Sequence, residues 1–277
     1  MSLPFTIHFL QTYPMDALTV SWHDSPCEPP VDVVELIERS WVVAQAEAAR
    51  HGRDLFPGRM TRLIRWSAET SSLHLDLGPT DYRAFVGTNL RHPELAGRFG
   101  TDALANPLGL SVAVITADNQ ILLQKRSEHV FEFPGFFHVG GGNVEPIDVA
   151  SPDATGIIAS IHRELDEELA ISAHQITRTL CLGLAENAMF RKPDLLIATW
   201  VSLSADVLAS RTNAEYSELV FLADDSSLSE FLIANAHTIS PAGIACLLAL
   251  GWQRHGVDWF DTHLAGLRNE FGRVGLG

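Results

Sequence analysis

Three consecutive glycines, Gly140 to Gly142, followed by Asn143 and then by the amphipathic segment "SPDATGIIASIHRELDEEL", constrain this chain more than any other feature. Backbone without side chains can bend sharply and approach a neighbour or a ligand closely. Upstream, "LSVAVIT" and "QILLQKRS" flank Ala117-Asp118-Asn119 as the arms of a β-hairpin, and the first arm is continuously apolar, as in a central strand covered on both faces. Downstream, "TRTLCLGLAEN", "LLIATWVSL" and "SELVFL" read as three more strands. "SPAGIACLLALGWQRHG" reads as a closing helix, with Ser240 as N-cap and Pro241 in the first turn. Strands interrupted by one helix and closed by another predict an α+β chain, a sandwich around a mixed sheet rather than a simple βαβ winding.

The N-terminal part is read separately. "FTIHFLQTY" and "ALTVSWHD", joined through "PMD", suggest a hairpin. "VDVVELIERSWVVAQAEAARHG" repeats apolar residues at helical spacing and stops at Gly52. "MTRLIRWSAE" and "SSLHLDLG" alternate like paired strands, and "TDYRAFVGTNLRHPELAGRFG" reads as loop and short helix. The division drawn from this pattern is a β-rich elaboration with one long helix over residues 1–105 and a second domain over 106–277.

Composition narrows the partners. Nineteen basic against 34 acidic residues give a formal net charge of −15, a field that repels nucleic acid and anionic membrane surfaces. No segment approaches the ~18 apolar residues of a membrane span, and the first residues lack the pattern of a secretory signal. Cys27, Cys181 and Cys246 have no metal-ligand spacing and suit reduced, buried thiols, so a cytoplasmic location is the expectation. A homodimer is left open.

The acidic helix carries the chemistry. Ser151-Pro152-Asp153 has the composition of a helix start, and Ile158, Ile161, Leu165 and Leu169 project onto one stripe at roughly 100° per residue. Glu164, Glu167 and Glu168 fall beside that stripe, where a cleft would lie. Carboxylates so spaced repel one another unless a cation lies between them, and Mg²⁺ takes oxygen ligands while bridging to phosphates. The alternative is a solvated acidic face. For Gly141 and Gly142 it is a tight bend rather than a phosphate cradle.

Helix and loop together resemble the box of the Nudix hydrolases. Arg163-Glu164-Leu165-Asp166-Glu167-Glu168-Leu169-Ala170-Ile171 matches its right half, with Ala170 where the family has glycine. The left half departs. Counting forward from Gly142 puts the family's lone glutamate at Asp148, counting back from Arg163 puts it at Thr155, and neither is a glutamate. "FVGTN", "PGFFHVGGGNVEP", "LGLAEN" and the late "SPAG" helix look like one branch, the UDP-glucose and UDP-galactose pyrophosphatases.

The resemblance implies a Nudix α/β/α sandwich around a mixed β-sheet, with an N-terminal β-rich elaboration, that splits a UDP-sugar into UMP and sugar 1-phosphate with Mg²⁺ or Mn²⁺. It further implies Glu164 and Glu168 as principal metal ligands, Glu167 as a supporting one and Arg163 as a brace. Glu167 or Glu215 would serve as general base, Glu215 being preferred to Glu218. Arg126 is the favoured contact to the diphosphate, ahead of Lys125 and the Arg191-Lys192 pair. Gly141, Gly142, Asn187 and Asn89 are candidates to contact substrate, the two asparagines being equally readable as turn formers. Two rival readings stay open: a Nudix hydrolase of ADP-ribose, a dinucleotide or a CoA derivative, and a Nudix-like module that binds a nucleotide without hydrolysis.

Overall fold

A computed structural model describes the chain except residues 1, 25–28, 51, 131, 147–154, 224 and 274–277. Cys27, Phe131, Asp148 and the predicted cap at Ser151 to Asp153 therefore lie outside the described residues. In chain order the elements are β1 (Phe5–Pro14), β2 (Leu18–Trp22), α1 (Val31–Arg50), β3 (Arg59–Ala68), β4 (Leu73–Asp81), α2 (Tyr82–Phe85), a π-helical turn (Val86–Leu90) and α3 (Leu95–Phe99). There follow β5 (Gly109–Ile115), β6 (Ile121–Arg126), β7 (Phe137–His138), α4 (Thr155–Leu169), β8 (Ile176–Asn187) and β9 (Pro193–Val201). The chain continues through α5 (Ala205–Ala209), β10 (Tyr216–Leu222), α6 (Asp225–Ala234), α7 (Pro241–His255) and α8 (Val257–Arg273).

Seven strands form a mixed sheet in the order β1-β8-β9-β5-β6-β10, with β7 also paired to β6. The β9–β5 pair is parallel and its neighbours are antiparallel. β5 is buried along its whole length, as its unbroken apolar run predicts. On one face its Leu110, Val112 and Val114 meet the α4 stripe and the leucines of a second, three-stranded sheet, ordered β2-β4-β3. On the other, Ala113 and Ile115 meet α7, which is backed by α6 and α8. The result is an α+β architecture with an α/β/α sandwich around the mixed sheet. No described helix is long and apolar enough to cross a membrane.

The hairpin expected from β1 and β2 does not form. β1 pairs antiparallel with β8 as an outer strand of the large sheet, and β2 pairs parallel with β4 in the small one. Pro14 has no N–H for a returning ladder, and the single turn Met15–Ala17 carries the chain from one sheet to the other. The first residue of the α4 stripe is Ile157 rather than Ile158, which is only partly buried.

The sheet splits where the glycines sit. β5 and β6 pair only at Val114–Leu122 and Ile115–Ile121, and past that point residues 137–144 are wedged between them. β7 pairs with β6, while Gly140 bridges to Val112 and Asn143 to Gly109 on β5. The glycine run thus fills the gap over which α4 lies.

Candidate active site

At Gly141 the backbone takes φ +130°, and an added Cβ would lie 2.0 Å from the carbonyl oxygen of Leu110. At Gly142 an added Cβ would lie 2.3 Å from the carboxyl carbon of Glu164. The first glycine lets the loop press onto β5; the second leaves room for a carboxylate of α4. One turn along the helix, the Glu168 carboxylate accepts hydrogen bonds from Gln124 Nε2 (3.0 Å) and the Gly141 N–H (3.4 Å). Burial, with the charges of Glu215 and Glu164, pushes its pKa up to about 8. Burial also raises Glu164, although the adjacent guanidinium of Arg163 opposes the rise.

The glutamates predicted as one group divide. Glu164 and Glu168 point into the split between β5 and β6, whereas Glu167 is 62% exposed on the outer side of α4. Arg163 donates to Glu164 (3.0 Å) and to the carbonyl of Asn143 (3.3 Å), bracing the helix against the loop. Glu215, at the end of the loop before β10, faces Glu164 and Glu168, while Glu218 lies exposed on β10 and off the cavity wall.

Beside these carboxylates opens a cavity of about 480 Å³. Gly141, Gly142, Glu164 and Glu215 form one side. Arg126, Lys192, Glu132 and Asp194 form another, where the Lys192 ammonium sits 3.1 Å from Glu132 Oε1. Burial alone would lower the Lys192 pKa, but Glu132 and Asp194 more than offset it and hold it above its usual value. Burial pushes Asp194 up to about 6. His138, on β7, also lines the cavity; burial, with Arg126 and Lys192, holds its imidazole well below the usual 6.5. Its Nδ1 lies 2.5 Å from the Oγ of Ser240, the α7 cap. Phe56, Met60 and Tyr82, from the N-terminal part, complete an apolar wall.

Asn187 lines the cavity, and its Oδ1 accepts the N–H groups of Met189 and Phe190 in the β8–β9 turn. Asn89 is fully buried off the cavity wall. Its Nδ2 donates to the carbonyls of Phe190 (3.0 Å) and Arg191 (3.2 Å), and its Oδ1 accepts from Asn106 N–H (3.0 Å), so it anchors the turn that presents Lys192. Arg191 is half-exposed at that turn and Lys125 lies outside the cavity lining; the cations that line it are Arg126, Lys192 and, exposed at the start of β3, Arg59. Sequence reasoning did not single out Glu132, His138, Asp194, Phe56, Met60 or Tyr82. "PGFFHVGGG" and "RKPD" contain signals for the second and third, a histidine and an aspartate each placed beside a motif already recognised.

Among the described residues no three carboxylate, imidazole or thiolate groups are already gathered to hold a metal. The donor chemistry nevertheless fits a hard divalent cation: Glu164 and Glu168 are oxygen donors, both raised first by burial and then by neighbouring carboxylates, Glu215 acting on both, so a cation beside them would relieve the repulsion that favours protonation.

No family model matches the chain. It is 34% identical over 141 residues to the uridine diphosphate glucose pyrophosphatase NUDT22 of Mus musculus, the alignment covering 44% of this chain and 46% of that protein. It is 30% identical over 151 residues to Nudix hydrolase 9 of Arabidopsis thaliana, covering 45% and 48%. The match thus spans just under half the length of these relatives. Among solved structures, DR0079 from Deinococcus radiodurans is similar at a TM-score of 0.37 and 15% identity, over 52% of this chain and 81% of that one.

Proposed function

Since the chain belongs to the Nudix superfamily, near its UDP-glucose branch, we propose that it hydrolyses the diphosphate bond of a nucleoside diphosphate derivative with the help of a divalent cation, its substrate being a UDP-sugar. The observation that carries this reading is one cavity lined both by Glu164 of α4, with the buried Glu168 one turn further along the helix, and by Arg126 and the buried Lys192. A metal diphosphate needs both: oxygen donors for the ion and positive charge for the phosphates.

In this reading Glu164 and Glu168 would hold Mg²⁺ or Mn²⁺, with Glu167 supporting from the edge of the helix. When bound, the ion polarises the phosphoryl oxygens and stabilises the leaving phosphate, an effect worth several kcal/mol. Arg126 and Lys192 hold the diphosphate against the wall opposite α4. The bare backbone at Gly141 and Gly142 lets a phosphate approach closely. Glu215 takes the proton from the attacking water as its oxygen bonds to phosphorus and the bridging P–O bond breaks, releasing UMP and sugar 1-phosphate. Phe56, Tyr82 and Met60 offer apolar surface to the rest of the substrate, and Asn187 a polar edge. We place this activity in the cytoplasm, which suits the free, buried thiols of Cys181 and Cys246.

The test is a panel of UDP-glucose, UDP-galactose, ADP-ribose, a dinucleoside polyphosphate and a CoA derivative, assayed with Mg²⁺ and Mn²⁺. Preference for a UDP-sugar supports the reading; preference for an adenine compound redirects the substrate assignment; binding of UDP without turnover of any of the five removes the enzyme.

A further inference from the structure

The cationic wall of the cavity already carries an anion of its own. Lys192 has only 9% of its side chain exposed, and its ammonium lies 3.1 and 3.3 Å from the two carboxylate oxygens of Glu132. The Nε of Arg126 donates to the backbone carbonyl of Glu132 at 2.9 Å, which ties the backbone that carries this carboxylate to the second cation of the wall. Glu132 is the more accessible member of the pair, its side chain 23% exposed beside the opening. Asp194, fully buried and packed against Gly109, is a second carboxylate acting on the Lys192 ammonium. Lys192 therefore has two counterions on the cavity wall, the buried Asp194 held against Gly109 and the more accessible Glu132.

A buried ammonium with no partner is strongly disfavoured, so an anion-binding lysine at this depth needs a resident carboxylate while the site is empty. A phosphate group brings more charge than a carboxylate and one more acceptor oxygen, so it competes well for the same cations. We propose that Glu132 is a displaceable counterion: in the free protein its carboxylate fills the anion position beside Lys192 and Arg126, and a phosphate of the bound nucleoside diphosphate takes that position from it. This rests on the proposed function for the identity of the ligand. It goes beyond it in making Glu132 a residue that sets which ligands enter, since only one with an anion at that position can exchange with the carboxylate.

The test compares full-length wild type with Glu132→Gln, titrated calorimetrically with inorganic pyrophosphate in EDTA, so that neither metal nor turnover is involved. Removing the competing charge should tighten pyrophosphate binding roughly five- to tenfold. With a substrate that turns over, KM should fall by a similar factor and kcat stay within about twofold. Equal or weaker pyrophosphate binding in the variant, or no binding to either protein, overturns the proposal, since a carboxylate that merely holds Lys192 in place would weaken the site when lost. Thermal unfolding checks that the variant folds. If it does not, Glu132→Asp, which keeps the charge but retracts it, should tighten binding by a smaller factor, and weakening there counts against the proposal equally. Should wild type cleave no nucleoside diphosphate while Glu132→Gln still binds pyrophosphate more tightly, the counterion stands and the hydrolase reading falls. Cleavage together with unchanged or weaker pyrophosphate binding has the opposite meaning.

Discussion

Neighbouring glycines at the site have different jobs, and alanine separates them. Gly141→Ala puts a Cβ against the backbone oxygen of Leu110 in a conformation with φ +130°, so the fold bears the strain, on the order of 1–3 kcal/mol or more. Gly142→Ala meets only the end of the Glu164 side chain, which can move. We expect Gly141→Ala to lower the unfolding midpoint in urea, and Gly142→Ala to keep it while losing at least about tenfold in kcat/KM through displacement of Glu164. Glu168 gives a pH prediction. Its folded pKa, about 8, stands above its ordinary value of 4.5, so the folded state holds the extra proton and stability from this group is lost as pH rises through 8. Between about pH 6.5 and 8 Asp194, raised to about 6, is largely ionised in both states, and Glu168 outweighs the smaller opposite contribution of His138 and His162, whose depressed imidazoles take up protons near pH 6.5 only on unfolding. In EDTA the wild type should lose on the order of 2 kcal/mol across that window, at ~1.4 kcal/mol per pH unit, and Glu168→Gln should flatten the slope. Mg²⁺ should restore wild-type stability at the alkaline end, a result readable by thermal denaturation.

At the scale of elements, α4 is the piece most fully written in the sequence, because one apolar stripe and three glutamates on a neighbouring arc leave few ways to lay it down. Its end is less comfortable. Ala170 adopts φ +50°, with its N–H bonded to the Asp166 carbonyl and that of Ile171 to Leu165, a helix stop that favours glycine. Ala170→Gly should therefore stabilise the protein by about 1 kcal/mol in chemical denaturation, without loss of activity. Leu165→Ala, by contrast, opens a cavity between α4 and β5 and should cost about 2–5 kcal/mol. Strands of the large sheet were readable from composition: β5 and β9 are nearly continuous apolar runs, and β8 carries a shorter one from Leu180 to Ala185. The false hairpin of β1 and β2 came from proximity in sequence, which says nothing about a chain that changes sheets at Pro14. β7 is two residues long and exists only because β5 and β6 part, a property of pairing rather than of local composition. In α8, Leu267 alone is fully buried, so its apolar face packs at an edge and gives a weak core signal beyond the stop at Gly256.

For the whole molecule, the acidic side of the cavity was legible and the cationic side only partly so. Glu164, Glu168 and the glycines are joined by local spacing in one motif, whereas Arg126, Glu132, Lys192 and Asp194 meet through the pairing of distant strands. Nothing in "RKPD" tells which of its two cations turns inward; the φ of +53° at Arg191 and the Asn89 anchor decide that for Lys192. The apolar wall at Phe56, Met60 and Tyr82 makes the N-terminal part a contributor to the cavity, which strand and helix patterns could not reveal. The chain's charge of −15 makes the cations of the cavity wall, Arg126 and Lys192, matter more, since a diphosphate meets repulsion over most of the surface and attraction here. The most direct measurement follows UDP-glucose by phosphorus NMR with Mg²⁺ and wild-type protein, then with Glu168→Gln. The expected result is conversion to UMP and glucose 1-phosphate, abolished by EDTA and slowed at least about a hundredfold by the substitution. Turnover that survives both EDTA and Glu168→Gln would contradict it.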